Sequence, residues 1–426
     1  MPTPLLSPRY GAVTLIDTEV EFAHVVDQII SGAGPVAIDA ERASGFRYSQ
    51  RAYLIQIFRR GGGLHLIDPI PLTHSPQIAR LNNALRDEEW VIHASTQDLP
   101  CLREFGISPQ RLFDTELGGR LAGCERVGLG PLTESLLELT LAKEHSAVDW
   151  SFRPLHHEWL IYAALDVDVL LDLRDAVEKL LEAQGKLEWA KADFASILTA
   201  PPPTPRKDPW RRTSGVHTVR DRRALAIVRE LWSKRDEIAR EIDIAPGRLL
   251  NDSLIVALSL AQPKTKSDFI SIPQFARIKN ELQRSYFEEW LNVLTRVDLL
   301  PPTELPELRS KSEGMPPTKI WRDKFSDAYA RFTHARAALT ARAIELGMPV
   351  ENLISPDSYK RICWLSQSEP NLIGNEENVS QRLAEFGARP WQIAQVAPLL
   401  ASALCESEPI ELPEPAKTDE NQPLSK

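Results

Sequence analysis

Apolar residues occur in two rhythms along the chain. In the amino-terminal part they form short runs rich in β-branched and aromatic residues: Pro35 to Ile38, Tyr53 to Phe58, Leu64 to Ile67 and Trp90 to Ile92, with Gly61, Gly62 and Gly63 between two of them. Such runs bounded by turn residues predict adjacent strands. Further on, apolar positions recur three and four apart, which predicts helices. One starts near Asp98 and carries Leu99, Leu102 and Phe105, and a second runs from Trp159 through Leu160, Leu165, Val169 and Leu170 to Leu173. After residue 215 only the helical rhythm remains, first through Leu225, Val228, Leu231 and Ile238, later through Phe332, Ala335, Leu339 and Ala343.

Proline divides these regions. The stretch TAPPPTPRKDPW, Thr199 to Trp210, cannot continue a helix and reads as a semi-rigid spacer. A second break lies in LLPPTELPEL, Leu299 to Leu308, and in MPPT at Met315. The resulting organisation is a mixed α/β domain over 1–198, a linker over 199–215, a helical domain over 216–298, a linker over 299–317, a second helical domain over 318–405, and an acidic tail over 406–426 whose composition predicts disorder. The turn IAPGRLLND recurs as GMPVENLISPD about 104 residues later, which points to an internal repeat.

Three segments concentrate acids. In VAIDAER, Asp39 and Glu41 are two apart on a predicted strand and therefore share a face. Like charges that close raise each other's pKa unless a cation lies between them, and carboxylate oxygens suit Mg²⁺ or Mn²⁺. Asp98, in VIHASTQDLPCL, stands at the start of a helix, where the dipole favours a carboxylate. In YAALDVDVLL, Tyr162 and Asp166 are four apart and project one turn from each other, while Asp168 faces away and reads as structural. His93, Gln56, Asp114 and Arg153 lie near these segments, and packing roles account for them at least as well as substrate contact.

Together these segments resemble the DEDD family of 3′-to-5′ exonucleases, in the subclass with tyrosine four residues before the last acid, and most closely ribonuclease D. LIQIF, HASTQDLPCL, FDTELGGRLAG (Phe113 to Gly123) and DWSFRPL (Asp149 to Leu155) are similar to family segments, and the likeness covers roughly residues 10 to 195. The histidine subclass would carry histidine five residues before the acid, where this chain has Ile161. The resemblance implies an α/β ribonuclease-H-like domain, a mixed central sheet flanked by helices, followed by all-α HRDC-like domains. It also implies two divalent ions, Mg²⁺ or Mn²⁺. Asp39 would bridge both, Glu41 and Asp166 would complete one site, Asp98 would hold the second ion, and Tyr162 would orient the attacking water. The substrate it implies is RNA with a free 3′ end, tRNA precursors above all, with nucleoside 5′-monophosphates released. DNA as substrate stays open, since the same site serves proofreading domains, and so does an adaptor in which the helical modules only bind nucleic acid.

Charge qualifies this picture. The net charge of −9 argues against a polyanionic partner, but residues 206 to 240 hold eleven Lys or Arg against five acids, including Arg211, Arg212, Arg220, Arg222 and Arg223. A local excess of that kind suits phosphate contact. If it merely tethers RNA, removing the chain beyond Pro201 should raise KM on structured RNA and leave kcat on a short strand little changed. The four cysteines lack zinc-ligand or redox-pair spacing and suit a reducing cytoplasm, no secretory leader or membrane-spanning run is evident, and a monomer is the simplest expectation.

Overall fold

The computed structural model describes residues 2–11, 13–142, 148–202, 204–309 and 314–411. The greater part of the acidic tail, from residue 412, lies outside them. By internal contacts the chain forms two compact units. One contains residues 1–115, 129–176 and 194–311; the other contains 116–128, 177–193 and 312–426.

The first unit is built on strands β1 (Thr3–Leu5), β2 (Leu15–Ile16), β3 (Val36–Arg42), β4 (Ala52–Arg59), β5 (Gly63–Ile67), β6 (Glu89–Ile92), β7 (Arg111–Asp114) and β8 (Leu139–Leu141). Six form one mixed sheet in the order β2-β5-β4-β3-β6-β7, and β1 pairs with β8 separately. The β3–β4 and β4–β5 pairs are antiparallel; β2–β5, β3–β6 and β6–β7 are parallel. All eight residues of β4 are buried, as expected of a strand covered on both faces. In β3 the alternation is visible: Ile38 and Ala40 are buried, whereas Asp39 and Glu41 keep partial access to solvent on the other face.

Helix α1 (Glu19–Ser31) packs beside β5, and α2 (Leu99–Phe105) begins immediately after Asp98, its N-cap residue. Helix α3 (His157–Asp168) packs on β3, β4 and β5. The periodicity from Trp159 to Leu173 predicts one helix, but the structure breaks it at Val169, and α4 (Leu170–Ala183) is separate. The cause is distant in sequence. Arg9 enters the junction, its Nε 2.6 Å from the buried Asp168 carboxylate and its Nη2 donating to the Asp168 carbonyl at 3.0 Å. A carbonyl held that way is drawn from the helical ladder, and Asp168 is structural, as its position on the helix suggests.

The same unit includes α5 (Arg222–Glu241), α6 (Asp252–Ala261) and α7 (Phe287–Asp298), packed around Trp290, Phe269, Leu231 and Leu258. In the second unit α8 (Ser326–Glu345), α9 (Pro356–Leu365) and α10 (Pro390–Ala403) surround Trp321, Leu339 and Leu400. Helices α8 and α9 each begin 104 residues after α5 and α6 and match them in length, so the repeat glimpsed in two turns extends to the elements around them.

Candidate metal centre

The pairing of β3 with β4 and the docking of α3 bring three acids to one point. Carboxylate oxygens of Asp39, Glu41 and Asp166 lie within 4.8 Å of one another, although Asp166 is far along the chain from the other two. Asp98 joins them through a hydrogen bond shared with Asp39. Its loop is held by Asp114, whose carboxylate accepts from the Ala94 and Ser95 amides (3.2 and 2.8 Å) and from the Ser95 hydroxyl (2.7 Å). Tyr162 donates to Asp166, one helical turn on. The structure thus brings together all five residues that the sequence nominates for catalysis.

The electrostatics of this cluster are those of acids held together against their charge. Burial raises the pKa of Asp39, Glu41 and Asp166, and for Glu41 the charges of Asp39, Asp166 and Asp98 add to it. Asp98 is pushed up to about 8, by burial first and by the Asp39 charge next. Burial and the neighbouring carboxylates also raise the Tyr162 hydroxyl, which therefore stays protonated and can accept through its oxygen while its proton goes to Asp166. Groups this unfavourable as anions become favourable once a divalent cation sits among them.

A second feature fits an ion and its water. Gln56 lies directly opposite Asp39 in the β3–β4 register, so its side chain shares the Asp39 face. It is fully buried, and neither its amide nitrogen nor its amide oxygen has a hydrogen-bond partner among the described residues. Buried polar groups are rarely left so, and a metal-bound water beside Asp39 would satisfy this one.

Two cavities meet at the acids. One of about 440 Å³ is walled by Leu129, Pro131, Leu141 and Leu170 and reaches Asp39 and Tyr162. The other, about 320 Å³, is polar and reaches Glu41, Arg42, Gln97 and Asp98. His93 borders both, with Nδ1 2.9 Å from the Thr115 hydroxyl. Arg42 was not singled out by sequence reasoning. On a regular strand it would face away from Asp39 and Glu41, but the ladder shifts register between Glu41 and Arg42, and such irregularities re-aim a side chain. Its Nε comes 3.9 Å from Asp98, and its charge lowers the pKa of Asp39, Glu41 and Asp98 against the larger effect of burial. The irregularity leaves no mark in the sequence.

Arg153 donates to Asp68 (2.7 and 2.9 Å) and to the Tyr53 carbonyl (2.8 Å), a structural clamp. The basic run divides. Arg222 donates to the Leu305 and Pro306 carbonyls, and Arg223 to those of Val297, Asp298 and Leu300, so both are drawn into the fold. Arg229, Lys234, Arg235 and Arg240 pair with Glu230, Glu237, Asp252 and Asp236. Arg212 and Arg220 are exposed, and Arg211 and Arg220 line a cavity of about 720 Å³ with His217 and Arg309.

Residues 13–182 match the family model described as 3′-5′ exonuclease, 224–294 match HRDC domain, and 314–404 match 3′ to 5′ exonuclease C-terminal domain. Ribonuclease D of Gluconacetobacter diazotrophicus is 30% identical over 295 residues, covering 66% of this chain and 72% of that one. The chain belongs to the ribonuclease D family. Another ribonuclease D, from Acidiphilium cryptum, is 28% identical over 396 residues, spanning 87% of this chain and 93% of its own. A crystal structure of a protein from Bifidobacterium adolescentis superposes with a TM-score of 0.85 at 38% identity, over 95% of this chain and all of that one. The ribonuclease D likeness thus reaches the helical domains as well as the sheet. No helix among the described residues is long and apolar enough to cross a membrane.

Proposed function

We propose that this chain is a 3′-to-5′ exoribonuclease that trims 3′ ends of structured RNA, tRNA precursors above all, and releases nucleoside 5′-monophosphates. The observation that carries the reading is the convergence of Asp39, Glu41 and Asp166 within 4.8 Å, with Asp98 and Tyr162 hydrogen-bonded to members of that set. Asp39 would contact two ions, Glu41 and Asp166 one of them, and Asp98 the other. Two bound divalent ions would stabilise the attacking and leaving oxygens of an in-line displacement and lower the pKa of the attacking water.

The remaining work falls to the chain itself. Tyr162, kept protonated, donates to Asp166, and its oxygen would accept from the attacking water and so orient it. Asp166 fixes the Tyr162 hydroxyl. The cavity walled by Leu129, Pro131 and Leu141 suits the apolar faces of a terminal nucleoside, and the polar cavity beside Arg42 suits its phosphate. Arg211, Arg212 and Arg220 are candidates for contact with more distant phosphates.

The test is product release from matched RNA and DNA strands with free or blocked 3′ ends, in Mg²⁺ and in Mn²⁺. Mononucleotides released from free RNA 3′ ends support the reading. Equal turnover on DNA moves it to a general 3′ exonuclease, and binding without hydrolysis moves it to an adaptor.

A further inference from the structure

We propose that the first helical domain is a working part of the nuclease, with Asp243 and Arg248 acting as positioning residues for the loop that leads out of Glu41. The inference rests on the exoribonuclease reading. It departs from the expectation that this half of the chain merely holds RNA.

The loop from Ala43 to Arg51 joins β3 to β4, and its shape is held from the helical domain. Asp243, on the turn after α5, accepts from the Ser49 amide at 2.7 Å and the Ser49 hydroxyl at 3.2 Å. It also accepts from the Tyr53 hydroxyl at 3.3 Å and lies 3.6 Å from Arg51. Partial burial opposes its ionisation, but these partners outweigh burial and hold the carboxyl below its usual range. Arg248 donates to the Gly45 carbonyl at 2.6 Å, and its guanidinium sits 3.9 Å over the Phe46 ring. The Ala245 amide donates to the Phe46 carbonyl at 3.0 Å, and the Tyr48 hydroxyl donates to Asp236 at 3.1 Å. Asp243 itself has φ of +49°, a left-handed conformation that a short polar side chain tolerates. That backbone and the carboxylate together shape the clasp.

Two routes lead from this loop to the acids. Tyr53 precedes Leu54, which stands opposite Glu41 in the ladder, so the clasp on Tyr53 sets the strand beside Glu41. Arg47, inside the loop, donates to the Ser151 hydroxyl at 2.8 Å, and Ser151 donates to Asp149 at 2.6 Å. That segment runs directly into α3, which carries Tyr162 and Asp166. The strand that carries Glu41 and the segment that leads into α3 therefore both border one loop, and the helical domain supplies the partners that fix it. Misplacement of a catalytic group by about 1 Å costs on the order of 10²-fold in rate.

The experiment uses the full-length protein and a trinucleotide with a free 3′ end, too short to draw affinity from a separate RNA-holding surface. Asp243→Asn and Arg248→Ala should each lower kcat on the trinucleotide at least tenfold with KM changed less than threefold, and should weaken Mn²⁺ binding measured by calorimetry. Ser49→Ala should lower kcat in the same direction. The double variant Ser49→Ala/Asp243→Asn should be no worse than Asp243→Asn alone, because the two act through one contact. If Asp243→Asn does not fold, Ser49→Ala and Tyr48→Phe carry the test, and unchanged kcat in both overturns the proposal. So does unchanged kcat on the trinucleotide in Asp243→Asn with a raised KM on long RNA, the result a tether would give. A wild-type protein inert on the trinucleotide and on long RNA would overturn the exoribonuclease reading instead.

Discussion

Gln56 faces Asp39 across the β3–β4 ladder with both polar atoms of its amide buried and without a hydrogen-bond partner among the described residues. An unsatisfied buried amide costs about 1 to 3 kcal/mol, and an apolar side chain of similar volume does not incur it. In chelator, Gln56→Leu should raise the Tm or leave it unchanged, while turnover in Mg²⁺ falls. A lower Tm with full activity would mean that the amide serves packing and has no role toward the metal's water.

The four carboxylates predict their own metal dependence. Asp39→Asn or Asp166→Asn should abolish turnover by orders of magnitude, yet in chelator each variant should be at least as stable as wild type, because a repelling buried charge is gone. Thermal unfolding with and without Mg²⁺ checks both halves, and full activity in chelator would sink the metal reading.

Stability should depend on pH in a specific direction. Asp98 has a folded-state value of about 8 against an ordinary value of 3.8. An acid raised on folding contributes stability that is fully present below its unfolded value and is lost as pH rises through the folded one. The metal-free protein should therefore lose Tm between about pH 5 and pH 8, and Mg²⁺ should restore more at the upper end, where protons no longer compete for the ligands. Asp98→Asn should make the metal-free profile less steep, with the raised Asp39, Glu41 and Asp166 supplying the remaining slope; a wild-type Tm that climbs over this range contradicts the assignment.

Tyr162→Phe separates orientation from ligation. Loss of the group that positions the attacking water typically costs about 10²-fold in kcat. Calorimetric Mn²⁺ affinity should stay close to wild type, since the hydroxyl is not a ligand. Lost metal binding would show that packing against Asp166 is its real task.

Within the basic run the arginines should behave in two ways. Arg223→Ala strips donors from three backbone carbonyls and should destabilise the first helical domain by about 2 kcal/mol, read as a lower Tm. Arg220→Ala should leave Tm alone and weaken binding of structured RNA, with the slope of log K against log salt shallower by about 0.7 to 0.9. An unchanged slope would remove Arg220 from the RNA-contacting surface.

Much of the site was legible because its signals are local. Strand alternation places Asp39 and Glu41 on one face, helical spacing stacks Tyr162 on Asp166, and the apolar rhythm after Asp98 makes it a helix N-cap; each needs only a few neighbouring residues. The strands and the helical repeat follow from such short-range periodicities, and the resemblance to the DEDD family singles out the five candidate catalytic residues. What tertiary structure decided depends on partners far apart in the chain. Arg9 reaches Asp168 from 159 positions away where a continuous-looking helix breaks, the irregularity after Glu41 turns Arg42 toward Asp98, and backbone carbonyls claim Arg222 and Arg223. Asp243 reaches Ser49 across 194 positions to clasp the loop beside Glu41. A periodic pattern reports which face of an element is apolar, whereas a hydrogen bond between distant elements exists only once packing has set them within about 3 Å.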